Sequence, residues 1–168
     1  MSRSSEIAAN AESYLGQTEK SGNSGFTDPE FEAEMTEEGW KKSWAWCAVF
    51  AKVVFKNIFP EKSEELNKLF SPGTVQTFRN FRDAGYPVSL VPSTGALVIW
   101  QTMKDGKPQT TGHAGIVVSV VDQHMFYSVE GNTNDGGGRE GYIVAKKQRK
   151  VVANVKDGLK ILGFIQIA

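Results

Sequence analysis

The sequence predicts an α+β fold in which N-terminal helices pack on an antiparallel sheet of five to six strands. Helical spacing of apolar residues fills the first half of the chain and β-rich runs fill the second, an order that stacks helices on one face of a sheet instead of threading them between parallel strands. Residues 44–59, WAWCAVFAKVVFKNIF, are apolar on too many sides for a surface helix and read as a buried helix beginning at the only cysteine, Cys47. With 168 residues, 40% of them hydrophobic and 23% charged, the chain has the size and composition of one globular domain spanning 1–168.

Taken in order, Ser4 or Ser5 caps a first helix in which Ile7, Ala8, Ala11, Tyr14 and Leu15 recur at helical spacing up to Gly16. Residues 17–43 are rich in Gly, Ser and acid. Asp28 before Pro29 marks a helix start there, and Phe26, Phe31, Met35 and Trp40 imply an ordered loop with a helical turn laid over the body. Pro60 ends the Cys47 helix. EKSEELNKLF and TVQTFRNFRDAG are two more helices, separated by Ser71-Pro72-Gly73 and closed by Gly85. GALVIW, HAGIVVSVV, MFYSVEG, YIVAKKQRKV and LKILGFIQI then read as strands, bounded by DGKPQ, VDQ, NTNDGGGREG and KDG.

Several function classes drop out. Lys plus Arg and Asp plus Glu both number 19, so the basic footprint of a nucleic-acid binder is missing. One cysteine forms no internal disulfide, and no segment is long and apolar enough to span a membrane. The N-terminus has no apolar signal core, which implies synthesis in the cytoplasm and any export by a route that reads no cleavable signal. There is no GxGxxG, P-loop, GxSxG or paired CxxC motif, and one Cys with two His makes no tetrahedral zinc site. The acids Asp28, Glu30, Glu32 and Glu34 lack the loop pattern of a hard-cation site and read as a solvated charged face. Neither a metal nor a cofactor is expected.

A cysteine in the first turn of a helix meets free backbone N–H groups and the positive end of the macrodipole, which favour a thiolate. Cys47 is therefore a candidate nucleophile, the other reading being a small buried hydrophobe. Such a nucleophile needs a base, and the base needs an orienting partner. Of the two histidines, His113 opens the strand HAGIVVSVV after Gly112, whereas His124 sits in the turn VDQHM and reads as solvated. Glu130 interrupts an apolar strand next to Gly131, where a carboxylate is costly without a partner. In an antiparallel hairpin the start of one strand lies beside the end of the next, so His113 and Glu130 are candidate neighbours; a solvated strand-end acid is the alternative.

These residues carry a resemblance. Trp46-Cys47-Ala48 at a helix start, Gly112-His113-Ala114-Gly115-Ile116-Val117 on a strand and Val129-Glu130-Gly131-Asn132-Thr133-Asn134 on the next are similar to the CHAP amidase/endopeptidase family, relatives of NlpC/P60 within the papain-like superfamily. The run from SPGTVQ to PSTGALVIW resembles the glycine-led strand that precedes the histidine strand in this family, and the resemblance covers roughly Ala11 to the C-terminus. It implies a papain-like fold and a cysteine peptidoglycan hydrolase, with Cys47 as nucleophile, His113 as base, Glu130 orienting His113 and Asn132 as a further polar site residue. Trp44, Trp46, Trp100 and Asn134 are candidates for the wall of a groove that takes the peptidoglycan stem peptide, core packing being the other reading for each tryptophan. The expected setting is a monomer acting in the periplasm or cell wall of a target or host bacterium, as a phage lysin or as an antibacterial effector with a cognate immunity protein. From a different class, a non-catalytic wall-binding or phage tail structural module would keep the same fold.

Overall fold

In a computed structural model, residues 1–133, 141–152 and 154–168 are described. Among the described residues five α-helices, α1 (Arg3–Ser13), α2 (Pro29–Glu37), α3 (Cys47–Ile58), α4 (Ser63–Leu69) and α5 (Thr74–Asp83), precede six strands. These are β1 (Val88–Ser89), β2 (Leu97–Lys104), β3 (Lys107–Asp122), β4 (Met125–Thr133), β5 (Ile143–Lys150) and β6 (Gly158–Ile165), in one antiparallel sheet ordered β1-β6-β2-β3-β4-β5. The expected α+β arrangement is present, and the short β1 supplies the sixth strand.

Local chemistry sets most element ends. The cap of α1 is Ser2, whose Oγ accepts from Ser5 N, and not Ser4 or Ser5 as expected; Leu15 falls beyond the helix end and is exposed. Asp28 caps α2 by accepting from the N–H groups of Glu30 and Phe31. The acids here do more than face solvent: Glu32 accepts from Phe26 N at 2.7 Å, and Glu34 from the Tyr14 hydroxyl at 2.8 Å.

α3 lies at the centre of the helical layer, packed on β3, β4 and α1, with Cys47, Phe50, Val53, Val54 and Phe55 buried. Trp46 and Phe50 press against β4 at Gly131, where a Cβ would come within 2.7 Å of the indole. A side chain at 131 would push α3 away from the sheet, so this glycine lets the first turn of the helix touch the strand that carries Glu130.

The opposite face of the sheet holds a second apolar cluster of Val98, Trp100, Val117, Phe126, Ile161 and Phe164. Phe126 on β4 lies edge-on to Phe164 on β6 with ring centroids 5.1 Å apart, although β3 and β2 stand between their strands. Strands are spaced about 4.8 Å apart, so this contact requires the sheet to curl strongly about that face. The curl brings side chains of β2, β3, β4 and β5 together.

His113 does not open its strand, as expected, but sits inside β3, which runs from Lys107 and pairs back on β2 through Trp100↔His113 and Met103↔Pro108. Pro108 reads as a breaker in sequence, yet near the start of a strand it is tolerated, and β3 is correspondingly longer.

Candidate active site

Cys47 is the first residue of α3, after Trp46 in the cap position, and the first backbone bond of the helix runs from Phe50 N to Trp46 O. The N–H groups of Cys47, Ala48 and Val49 therefore have no acceptor within the helix. Cys47 is 4% exposed and lies close enough to His113 to act on the charge of its imidazole.

His113 Nε2 lies 2.8 Å from Glu130 Oε2, which leaves Nδ1 as the nitrogen available to the thiol. Its ring tilts against Trp100, centroids 5.7 Å apart. Ile116 stands opposite Val129, so Glu130 comes level with Gly115 and reaches across it toward His113. Gly115 makes this possible, since a Cβ there would come within 2.8 Å of Glu130 Cγ.

Glu130 is fully buried, a costly place for a carboxylate, and its oxygens are saturated with donors. Oε1 accepts from Ser128 Oγ at 2.6 Å and Arg149 Nε at 2.8 Å, and Oε2 accepts from Arg149 Nη2 at 2.6 Å besides facing His113. Burial alone would raise the Glu130 carboxyl; the hydrogen bonds and charges of Arg149 and His113 outweigh it and hold the group far below the usual carboxylate range. For His113 burial works downward, but the hydrogen bonds and negative charges of Cys47 and Glu130 win and push the imidazole well above its ordinary value. The geometry thus favours imidazolium between two acids.

Two clefts flank the pair. One, of about 570 Å³, is lined by Glu19, Trp44, Ala45, Asn132 and Tyr142 among others; the second, of about 1030 Å³, by Gly112, His113, Asn132 and Arg149 among others. Asn132 lines both, at a bulge of β4 where its φ is 53°, a left-handed value that asparagine accepts more readily than most residues.

The structure therefore brings Cys47, His113 and Glu130 into one cluster with Asn132 at its edge, and it leaves Trp44 exposed on the first cleft. Two expected groove residues are corrected. Trp46 is wholly buried, because as the residue before α3 it points into the aromatic core of Phe26, Phe31 and Phe50. Trp100 is 3% exposed and supports the site from beneath, with His113 against it and the Arg149 guanidinium 5.2 Å from its ring centroid. Asn134 lies outside the described residues. His124 sits in the turn after Asp122, remote from this cluster, and lines a separate pocket.

Sequence reasoning missed Arg149 and Ser128. Ser128 stands two residues before Glu130 on the same strand face, and Arg149 hides in the basic run of β5. The available signal was Glu130 itself: a buried carboxylate demands more donors than one imidazole supplies.

A helix-borne thiol, an imidazole and a carboxylate on an α+β scaffold of the papain-like kind define a protein with the groups for nucleophilic cysteine chemistry. The CHAP domain family model matches residues 37–132, and the chain belongs to that family, part of the papain-like/NlpC-P60 amidase superfamily. CHAP domains are generally cysteine-dependent peptidoglycan hydrolases, so the membership implies a cell-wall amidase or peptidase. A comparison with curated proteins gives no match.

Proposed function

We propose that the chain, acting as one unit over 1–168, is a cysteine amidase or endopeptidase that cleaves an amide bond in the peptide of peptidoglycan. The observation that carries this reading is the cluster of Cys47, His113 and Glu130 in a chain of the CHAP family. The Cys47 thiolate attacks the amide carbonyl carbon, and the carbonyl electron pair moves to oxygen. The free N–H of Cys47 at the start of α3 donates to that oxyanion. His113, as imidazolium, gives its proton to the leaving nitrogen; the C–N bond breaks and a thioester remains. Neutral His113 then takes a proton from water as the water oxygen attacks the thioester, which releases the carboxylic acid and restores the thiolate. Glu130 holds the imidazole in the required orientation and stabilises its charged form, while Asn132, on the ridge between the clefts, contacts the substrate.

In this reading the wall lies outside the compartment of synthesis, as for a phage lysin or an antibacterial effector, and an effector would bring a dedicated inhibitor protein. The test is digestion of purified sacculi followed by mass spectrometry of released muropeptides. Wild type should release fragments whose new termini name the bond, and Cys47→Ala should release none while keeping its far-ultraviolet circular dichroism. Release by Cys47→Ala at the wild-type rate would exclude this thiol as nucleophile. Fused to a cleavable secretory signal, the wild type should lyse its host and Cys47→Ala should not.

A further inference from the structure

The cleft on the α3 side of the site contains a carboxylate that the reaction steps above do not use. Glu19 is fixed at its wall by the backbone, its N–H donating to Tyr142 O at 2.8 Å and its main chain bridging to Phe26. Its Oε1 is buried without a hydrogen-bond partner among the described residues, which is costly for an acceptor of this kind. Trp46 Nε1, buried and without a well-aligned hydrogen bond among the described residues, is the indole donor beside this carboxylate, and one such donor leaves most of the acceptor sites of a carboxylate unfilled. The indole favours the Glu19 anion, but burial has the larger effect and raises the carboxyl above its ordinary value. A donor arriving with the substrate would complete this group.

The direction of the reaction says which half of the substrate arrives there. The leaving amine takes its proton from His113, which lines the second cleft, so it departs on that side. The first cleft is lined by Trp44 and Ala45, just before the nucleophile, and holds the acyl half.

We propose that Glu19 is a specificity residue that binds a primary ammonium group on the acyl side of the scissile amide. This rests on the reading of Cys47 and His113 as the reacting pair. An ammonium brings three N–H donors and a full counter-charge, which a neutral amide cannot do, and so satisfies the orphaned oxygen and stabilises the ionised carboxylate together. A stem peptide offers such a group at a free N-terminus or on the side chain of a diamino acid.

The experiment compares three synthetic stem peptides on wild type and Glu19→Gln: one with both amines free, one acetylated only at the N-terminus and one acetylated only on the side chain. For wild type, one of the two acetylations should lower kcat/KM by about tenfold or more, chiefly through KM, and which one does so identifies the amine bound. Glu19→Gln should lose that discrimination and cleave the acetylated peptide as wild type does. Wild type indifferent to both acetylations, or Glu19→Gln with unchanged discrimination, overturns the assignment while leaving the catalytic reading intact. Wild type that cleaves none of the peptides overturns the catalytic reading and this one with it. Alkylation of Cys47 by iodoacetamide, measured on both proteins, separates binding from support of Trp46. Equal rates are expected, and a slowed rate in Glu19→Gln assigns Glu19 to seating the indole and overturns the binding role.

Discussion

Arg149 grips Glu130 with two hydrogen bonds, Nε to Oε1 at 2.8 Å and Nη2 to Oε2 at 2.6 Å, while the same Oε2 faces His113 Nε2 at 2.8 Å. One buried carboxylate is thus held between two cations. When the Cys47 proton resides on His113, charge alternates in sign from Arg149 through Glu130 and His113 to the sulfur, so each ionised group stabilises its neighbours.

Removing the outer cation should therefore destabilise the fold as well as the site. Arg149→Met leaves the Glu130 carboxylate with His113 as its one cationic partner among the described residues and should cost about 3 kcal/mol, read from the shift of the urea midpoint near neutral pH. The sign with pH follows from Glu130, whose folded value lies below its ordinary 4.5. Its stabilising contribution is complete above that ordinary value and is lost as pH falls toward the lower folded one. The cost of Arg149→Met should accordingly be greater at about pH 7 than at about pH 3. An equal cost at both would show that Arg149 acts by packing on Trp100 and not through the carboxylate.

His113 has the opposite sign. Its folded value is raised above 6.5, so its contribution to stability is complete below that value and is lost as pH rises through the higher folded one. Part of the rise comes from Cys47. In Cys47→Ala the His113 ring should titrate at lower pH than in wild type, with Glu130 still holding it above the ordinary 6.5 of a histidine. Ring chemical shifts followed by NMR give both midpoints, and coincident His113 midpoints in the two proteins would remove Cys47 from the imidazole's surroundings.

Gly115 tests the path of the Glu130 side chain. Gly115→Ala places a methyl 2.8 Å from Glu130 Cγ, whereas Gly73→Ala places one no nearer than 3.8 Å to its neighbours. The first should move Glu130 off His113 and lower kcat by about tenfold or more with the fold retained; the second should leave kcat unchanged. Full activity in Gly115→Ala would mean that the contact between Glu130 and His113 does not govern turnover.

Short-range pattern was enough to place most of the elements and to single out the candidate groups of the site. Apolar spacing marked the α3 helix and the change to strands, Asp28 before Pro29 marked α2, and a lone cysteine at a helix start with a histidine and a carboxylate on successive strands was enough to suggest the chemistry. All these signals act over a few residues, where period, capping and turn residues are decisive. The contacts across strands were not legible in this way. The pairing of β5 on β4 puts Arg149 within reach of Glu130, the curl of the sheet stacks it on Trp100 of β2, and the register of β3 on β4 brings Glu130 level with Gly115. Nothing in the local pattern of the basic run around Arg149 separates a residue that neutralises a buried acid from one that meets water. The tryptophans show the same limit: Trp44 and Trp46 share a segment, yet the backbone at the start of α3 turns one into the aromatic core and leaves the other on the cleft. Burial and partner choice depend on strand order and sheet curvature, which join residues far apart in the chain.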